Sequence, residues 1–147
     1  MSLPDAQAQA NRFARVRRAH QTEVQEDYVE LIAELIAARG EARATDLAER
    51  FGVTSATVAN TLARLKRAGL VEMRPYRSIF LTPEGEAMAA ESRARHQLVV
   101  RFLLALGLSR DIAEGDAEGL EHHLSQETLR AMEAFAERGP KLSTDRR

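Results

Sequence analysis

The pattern of apolar positions predicts a first amphipathic helix from Glu26 to Arg39, which Gly40 ends. Its apolar residues repeat at intervals of three and four: Tyr28, Leu31, Ile32, Leu35 and Ile36. A second stripe on the same helix is acidic and consists of Asp27, Glu30 and Glu34. The residues before about position 20 show no such periodicity, and we expect residues 1–20 to form a flexible, basic arm.

Two shorter helices are predicted next. The first runs from about Thr45 to Phe51 and is closed by Gly52. The second begins near Thr54 or Ser55, runs to Ala68 and is closed by Gly69. The buried stripe of the second helix is Val58, Leu62 and Leu65. Two short helices joined by a tight turn that contains a glycine are typical of a helix-turn-helix.

A hairpin and three more helices complete the pattern. Two short strands, Leu70 to Arg74 and Ser78 to Leu81, are joined by a basic Pro-Tyr-Arg tip, which is typical of a wing. Thr82 and Pro83 then start a long helix that Gly107 ends. The last two helices are predicted from Asp111 to His123 and from Ser125 to Arg138, where Gly139-Pro140 stops the chain's regular structure.

These elements predict a mainly α fold: an N-terminal winged helix-turn-helix with a small β-hairpin, and a C-terminal helical dimerisation domain. The expected boundaries are a flexible basic arm at 1–20, a DNA-binding domain at 21–83, a linking helix with a helical metal-binding and dimerisation domain at 84–140, and a disordered tail at 141–147.

Composition narrows the class of protein. The chain has 147 residues and no cysteine, so disulfides, cysteine-ligated zinc and thiol nucleophiles are excluded. No apolar run approaches the roughly 20 residues of a membrane helix, and the N-terminus lacks the apolar block of a secretory signal. We therefore expect a cytoplasmic protein.

The net charge of −1 hides a segregated distribution. Basic residues cluster near the N-terminus (Arg12, Arg15, Arg17 and Arg18) and in mid-chain (Arg64, Lys66, Arg67, Arg74 and Arg77). Acidic residues concentrate at 23–34 and 111–121. A chain of this kind can present one basic face to nucleic acid.

The second helix of the helix-turn-helix has the side chains that major-groove reading needs. Small and polar residues lie opposite its apolar stripe, with a cation behind them: Ser55, Ala56, Thr57, Asn60 and Arg64. Arg74 and Arg77 of the wing are expected to contact the DNA backbone or minor groove. The alternative is a small helical subdomain with a solvated polar face.

A second set of residues has the chemistry of a metal site. Glu118, Glu121 and His122 are spaced i, i+3 and i+4, which places them on one face of a helix. His96 lies on the core-facing stripe of the long helix, and Asp27 and Glu30 are one turn apart. Carboxylates and imidazoles without sulfur suit Mn²⁺ or Fe²⁺. Taken alone, the pair Asp27 and Glu30 is also compatible with a solvated acidic helix face, and His96 alone is also compatible with a hydrogen-bonded core histidine.

Residues from about 26 to 138 resemble the manganese-sensing branch of the diphtheria toxin repressor family. The stretches that carry the resemblance are EDYVELI, TDLAERFGVTSATVANTLARL, FLTPEGE, RHQLVVRFLLALG and DAEGLEHHLS. The last of these, Asp116 to Ser125, is the most specific and contains the E-x-x-E-H run.

The resemblance implies a homodimeric, metal-dependent regulator that binds double-stranded operator DNA and usually represses manganese uptake. It implies that all six residues named above are ligands and that each subunit binds two Mn²⁺ ions. The iron-sensing branch has methionine and cysteine where this chain has Asp27 and Glu118. Hard ligands at both positions favour manganese over softer metals.

Three alternatives remain open on the sequence. The first is an iron- or zinc-responsive regulator of the same architecture. The second is a di-metal enzyme, which the chain disfavours because it lacks paired E-x-x-H motifs on two helices and any candidate nucleophile. The third is a metal-independent regulator or structural dimer. We expect no catalysis, no small organic substrate and no membrane partner.

Overall fold

A computed structural model describes residues 1–138, which form six α-helices and three short strands. In chain order they are α1 (Ala6–Arg39), β1 (Ala42–Arg43), α2 (Ala44–Phe51), α3 (Ser55–Arg67), β2 (Val71–Arg74), β3 (Ser78–Leu81), α4 (Pro83–Ala105), α5 (Arg110–Leu120) and α6 (Gln126–Arg138). The predicted fold class, mainly α with an N-terminal winged helix-turn-helix, is confirmed. The predicted stop at Gly139-Pro140 and the tail at 141–147 lie outside the described residues.

Helix α1 corrects the prediction of a flexible arm. It begins at Ala6, twenty residues earlier than predicted, and continues without a break to Arg39. Alanine, glutamine and arginine dominate its first half, and these residues favour helix even without an apolar stripe. No glycine or proline occurs between Asp5 and Gly40 to stop the helix. Asp5 accepts a hydrogen bond from the amide of Ala8 at 3.0 Å, as an N-cap does.

The chain divides into two compact units. We call residues 21–92 the sheet unit, and residues 1–20 with the described residues from Arg93 the helical unit. The second boundary lies inside α4, nine residues after the predicted division at 83. The first turns of α4 belong to the sheet unit because Ala89 is part of its core and Met88 packs against that core.

The predicted hairpin is present as β2 and β3, and a further strand extends it to a three-stranded antiparallel sheet in the order β1-β3-β2. The additional strand, β1, pairs Ala42 with Ile79 and Arg43 with Ser78. A strand of two residues has no alternation of its own, so its sequence gives no strand signal. Pairing with β3 alone makes it a strand.

The core of the sheet unit is apolar and contains most of the side chains predicted for its helices, while Leu31 and Ile36 are only partly buried against it. Its thirteen buried residues are Tyr28, Val29, Ile32, Leu35, Ala42, Leu47, Val58, Leu62, Leu65, Leu70, Val71, Ile79 and Ala89. The rings of Tyr28 and Phe51 stack with centroids 4.5 Å apart, which joins α1 to α2. A Cβ on Gly85 would meet the backbone carbonyl of Leu70, so only glycine allows α4 to start this close to β2.

The helical unit has a smaller apolar core. Its buried residues are Val99, Val100, Leu103, Ala113, Ala117 and Leu129. Phe102 and Phe135 meet edge to face at 5.6 Å between centroids, which joins α4 to α6. In the part of the chain that the structure describes, no helix is both long and apolar enough to cross a membrane.

Candidate metal centre and nucleic-acid interface

His96 lies on α4 in the helical unit, and carboxylates lie near both of its ring nitrogens. Its Nε2 is 2.7 Å from Oε2 of Glu114, and its Nδ1 is 3.8 Å from Oε1 of Glu118. Only 14% of the His96 side chain is exposed, whereas 69% of the Glu118 side chain is. Two of the predicted ligands, His96 and Glu118, therefore lie close together in this unit.

Glu121 and His122 are both buried in the helical unit. The Glu121 side chain is 1% exposed and that of His122 is 0% exposed, and Nε2 of His122 lies 3.3 Å from Oε1 of Glu121. Nε of Arg95 donates to the other oxygen of Glu121 at 2.9 Å. The buried carboxylate thus has a cation as its partner, as its burial requires.

The predicted helix over 111–123 is wrong at its C-terminal end. Helix α5 ends at Leu120, and Glu121–His123 form a 3-10 turn. Glu118 and Glu121 consequently differ in burial, although the i, i+3 spacing predicts a shared face. The tighter turn takes Glu121 and His122 into the interior, while Glu118 stays on the exposed surface of α5.

Asp27 and Glu30 lie on α1 within the sheet unit, and both are half-buried. Oε2 of Glu30 accepts a hydrogen bond from Oγ of Ser92 on α4 at 2.9 Å. Ser92 is fully buried, so this bond fixes the rotamer of Glu30.

The chemistry of the donor set fits a hard divalent cation. All six predicted ligands offer carboxylate oxygen or imidazole nitrogen, and the chain has no cysteine. Within the helical unit, the imidazole of His122 and the carboxylate of Glu121 are close enough to share one ion. A metal ion there would add positive charge beside the buried carboxylate of Glu121.

The candidate recognition helix, α3, presents the predicted face to solvent. Its apolar residues Val58, Leu62 and Leu65 are buried, and all five predicted DNA contacts are exposed: Ser55, Ala56, Thr57, Asn60 and Arg64. Thr54 caps the helix by accepting from the amide of Thr57 at 3.1 Å. Oγ1 of Thr54 also donates to Oγ1 of Thr57 at 3.0 Å, which orients the Thr57 hydroxyl.

The wing contains β2, β3 and a 3-10 turn at Pro75–Arg77. Arg74 is exposed, and its guanidinium lies 4.1 Å from the centroid of the Phe80 ring. This cation–π contact holds Arg74 along the wing and leaves its planar donors available. Arg77, the other predicted contact, is in the tip. Tyr76, between them, is 92% exposed with a φ of 68°.

Three residues that contact the predicted ligands were missed by sequence reasoning: Ser92, Arg95 and Glu114. Glu114 lies four residues before Glu118, which could have marked it as part of the same stripe on α5. Arg95 precedes His96 and gives no signal in the sequence that it contacts a buried carboxylate. Ser92 is 62 residues from Glu30, and no local pattern connects them.

Two family models match the chain. "Iron dependent repressor, N-terminal DNA binding domain" matches residues 20–79, and "Iron dependent repressor, metal binding and dimerisation domain" matches residues 82–140. The chain is also 57% identical over 125 residues to the Transcriptional regulator MntR of Salmonella typhimurium (strain LT2), covering 85% of this chain and 80% of that protein.

Solved structures show the same fold. The manganese regulator SloR superposes with a TM-score of 0.69 at 26% identity, covering 77% of this chain and 53% of that chain. A manganese-dependent transcriptional repressor in complex with manganese has a TM-score of 0.66 at 29% identity, covering 77% of this chain and 52% of that chain. The chain therefore spans about half the length of those two structures.

Proposed function

We propose that this chain, which belongs to the iron dependent repressor family in its manganese-sensing branch, is a manganese(II)-responsive DNA-binding transcriptional repressor. One observation carries the proposal. A chain that matches the DNA-binding model and the metal-binding model combines an exposed polar face on α3 with a sulfur-free donor set, of which Glu121 and His122 are buried. Helix-turn-helix proteins read the major groove with such a face, and hard donors of this type suit Mn²⁺.

The partners follow from the two family domains. The DNA-binding domain, which we assign to residues 21–83, would contact double-stranded operator DNA through Ser55, Ala56, Thr57, Asn60, Arg64, Arg74 and Arg77. Residues 84–140 would form the linking helix and the metal-binding and dimerisation domain. A homodimer would place two recognition helices about 34 Å apart, or a multiple of that distance, along the DNA. A protein of this function acts in the cytoplasm.

We assign the metal ligands to Asp27, Glu30, His96, Glu118, Glu121 and His122, with two Mn²⁺ ions per subunit. A bound divalent cation supplies positive charge among carboxylates that otherwise repel one another. Asp27 and Glu30 belong to the sheet unit, and the other four belong to the helical unit. Ligands drawn from both units would restrict the DNA-binding domain relative to the dimerisation domain when metal is present.

Coupling of this kind is reciprocal. Allosteric coupling free energies are typically about 1–3 kcal/mol, which corresponds to roughly 5- to 150-fold in affinity. Mn²⁺ should therefore tighten operator binding by a factor in that range. By the same linkage, operator DNA should tighten Mn²⁺ binding by the same factor.

The test begins by sequencing the DNA fragments that the full-length protein retains with Mn²⁺ and with a chelator. The retained sequence is then titrated in both conditions. We expect Mn²⁺-dependent, sequence-specific binding, which His122→Ala abolishes and the exposed control Glu133→Ala preserves. Binding that is equally tight with the chelator, or absent at saturating Mn²⁺, would contradict the proposal.

The identity of the metal is tested at Glu118, where the iron-sensing branch has a cysteine. Glu118→Cys introduces a thiolate, and softer sulfur ligands raise affinity for later metals. We expect the variant to respond more strongly than the wild type to Fe²⁺, Co²⁺ or Zn²⁺, measured as operator affinity with each metal. An unchanged ranking, or a wild type that prefers Fe²⁺ or Zn²⁺ to Mn²⁺, would favour the iron- or zinc-responsive alternative.

A further inference from the structure

Three side chains of the helical unit form a chain of contacts that ends at a proposed metal ligand. Nη1 of Arg110 lies 3.5 Å from Oε1 of Glu114, one turn further along α5. The other oxygen of Glu114 lies 2.7 Å from Nε2 of His96 on α4. Glu114 is not among the six proposed ligands, yet its contact with His96 is shorter than the 3.8 Å between Nδ1 of His96 and Oε1 of Glu118.

The chemistry of this contact determines where the proton of the imidazole lies. An ionised carboxylate can only accept hydrogen bonds, so Nε2 of His96 must be the donor. In a neutral imidazole one nitrogen carries the proton and the other carries the lone pair. When the imidazole is neutral, as it is in a metal ligand, a proton held on Nε2 by Glu114 leaves the lone pair on Nδ1, the nitrogen 3.8 Å from Oε1 of Glu118.

The second nitrogen, Nδ1, lies near another of the proposed ligands. Nδ1 and Oε1 of Glu118 are 3.8 Å apart, which is too long for a hydrogen bond. Hard divalent cations bind their ligands at about 2.0–2.6 Å, so two adjacent ligands of one ion lie roughly 3–4 Å apart. Two electron-rich atoms at this separation are suited to sharing a cation.

We propose that Glu114 is a positioning residue, which holds the His96 proton on Nε2 so that Nδ1 is the nitrogen offered to metal, and that Arg110 holds Glu114 in place. The inference rests on the proposed function, in which His96 is a ligand. It adds a residue outside the ligand set and names the ligating atom. When a carboxylate that hydrogen-bonds to a metal-ligating histidine is substituted, the affinity for the metal typically falls by 10- to 100-fold.

The first test needs no metal. The ring nitrogens of His96 are assigned by ¹⁵N NMR in the metal-free, full-length protein, at a mildly alkaline pH where ordinary histidines are neutral. We expect the Nε2–H tautomer in the wild type and a mixture of both tautomers in Glu114→Ala. Glu114→Gln keeps an acceptor oxygen, and it should restore much of the Nε2–H form. A wild-type spectrum with the proton on Nδ1 would overturn the inference.

The second test measures Mn²⁺ binding by electron paramagnetic resonance of the free ion. Glu114→Ala should weaken Mn²⁺ binding by about 10-fold or more, with the number of bound ions unchanged. Glu114→Gln should lose less, and Arg110→Ala should fall between the wild type and Glu114→Ala. Asp111→Asn is the matched control, because it removes one exposed negative charge from the same helix.

The outcomes separate this inference from the proposed function. If the wild type binds no Mn²⁺, the proposed function fails, while the tautomer in the metal-free protein still tests the role of Glu114. If the wild type binds Mn²⁺ and both Glu114 variants bind it equally well, the inference fails and the function stands. Loss of a whole bound ion in Glu114→Ala and Glu114→Gln would make Glu114 a ligand and would also overturn the inference.

Discussion

The proposed DNA contacts of the sheet unit and the pair Glu121 and His122 of the helical unit lie in opposite environments. In the sheet unit, thirteen buried residues form an apolar core, and all the proposed contacts of α3 with DNA are exposed. In the helical unit, the apolar core has six buried residues, and Glu121 and His122 are buried as well.

Because of this difference in burial, substitutions at the two sets of side chains should affect the stability of the protein differently. An exposed polar face can change its specificity at little cost to folding, because surface substitutions rarely change stability by more than about 0.5 kcal/mol. A buried carboxylate is tied to folding, because its desolvation has to be offset by a cation. DNA recognition should therefore be separable from stability, whereas metal binding should not.

The largest effect on stability is expected in the core of the sheet unit. Leu65→Ala removes a fully buried side chain and should lower the free energy of unfolding by about 3 kcal/mol. Urea unfolding followed by circular dichroism measures the loss. Val53→Ala, at a partly exposed aliphatic position of the same unit, should cost much less. Equal losses at the two positions would show that burial is not what distinguishes them.

A smaller effect, of electrostatic origin, is expected in the helical unit. Glu121→Ala leaves Arg95 without its carboxylate partner. Breaking a fully buried pair costs about 3–5 kcal/mol, and because the Arg95 side chain is 23% exposed we expect about 2 kcal/mol. The variant should also lose the stabilisation that added Mn²⁺ gives the wild type in thermal unfolding.

Glu133→Ala, at an exposed position on α6, is the control for that experiment and should retain both properties. A Glu121→Ala protein that keeps its wild-type stability and its response to Mn²⁺ would remove the proposed link between folding and metal binding.

The turn of the helix-turn-helix should show an intermediate effect. Gly52 has a φ of 68°, and its amide bonds the carbonyl oxygens of Ala48 and Glu49. A Cβ there would meet no atom within 4 Å, so the cost of Gly52→Ala is conformational and should be about 1 kcal/mol. Thermal unfolding checks this value. A stability equal to that of the wild type would mean that the turn relaxes to another conformation.

The smallest effect on stability is expected on the DNA-reading face. Asn60→Ala and Arg64→Ala should each change the free energy of unfolding by less than about 0.5 kcal/mol. Asn60→Ala should nevertheless weaken operator binding by about 1–3 kcal/mol and relax specificity at one base pair. Arg64→Ala should weaken binding to all sequences and lower the salt slope by about 1. If Arg64→Ala instead weakened binding at one base pair only, Arg64 would be the residue that reads a base.

The periodicity of apolar residues correctly predicted the helices that have an apolar stripe of their own to bury. Helix α3 is an example: its Val58, Leu62 and Leu65 are buried as their spacing requires. The same method failed for residues 6–20 of α1, where helix propensity rather than an apolar stripe makes the helix. It also failed for β1, which exists only because β3 pairs with it.

The sequence by itself determined the chemistry of this protein: an exposed polar recognition face, hard metal donors without sulfur, and the family. These properties depend on residue type and local spacing, which the chain records directly. The tertiary structure alone decided that Glu121 is buried against Arg95, that Ser92 fixes Glu30, and that Glu114 contacts His96. Such contacts join residues 18 to 62 positions apart, and packing, rather than any local pattern, selects them.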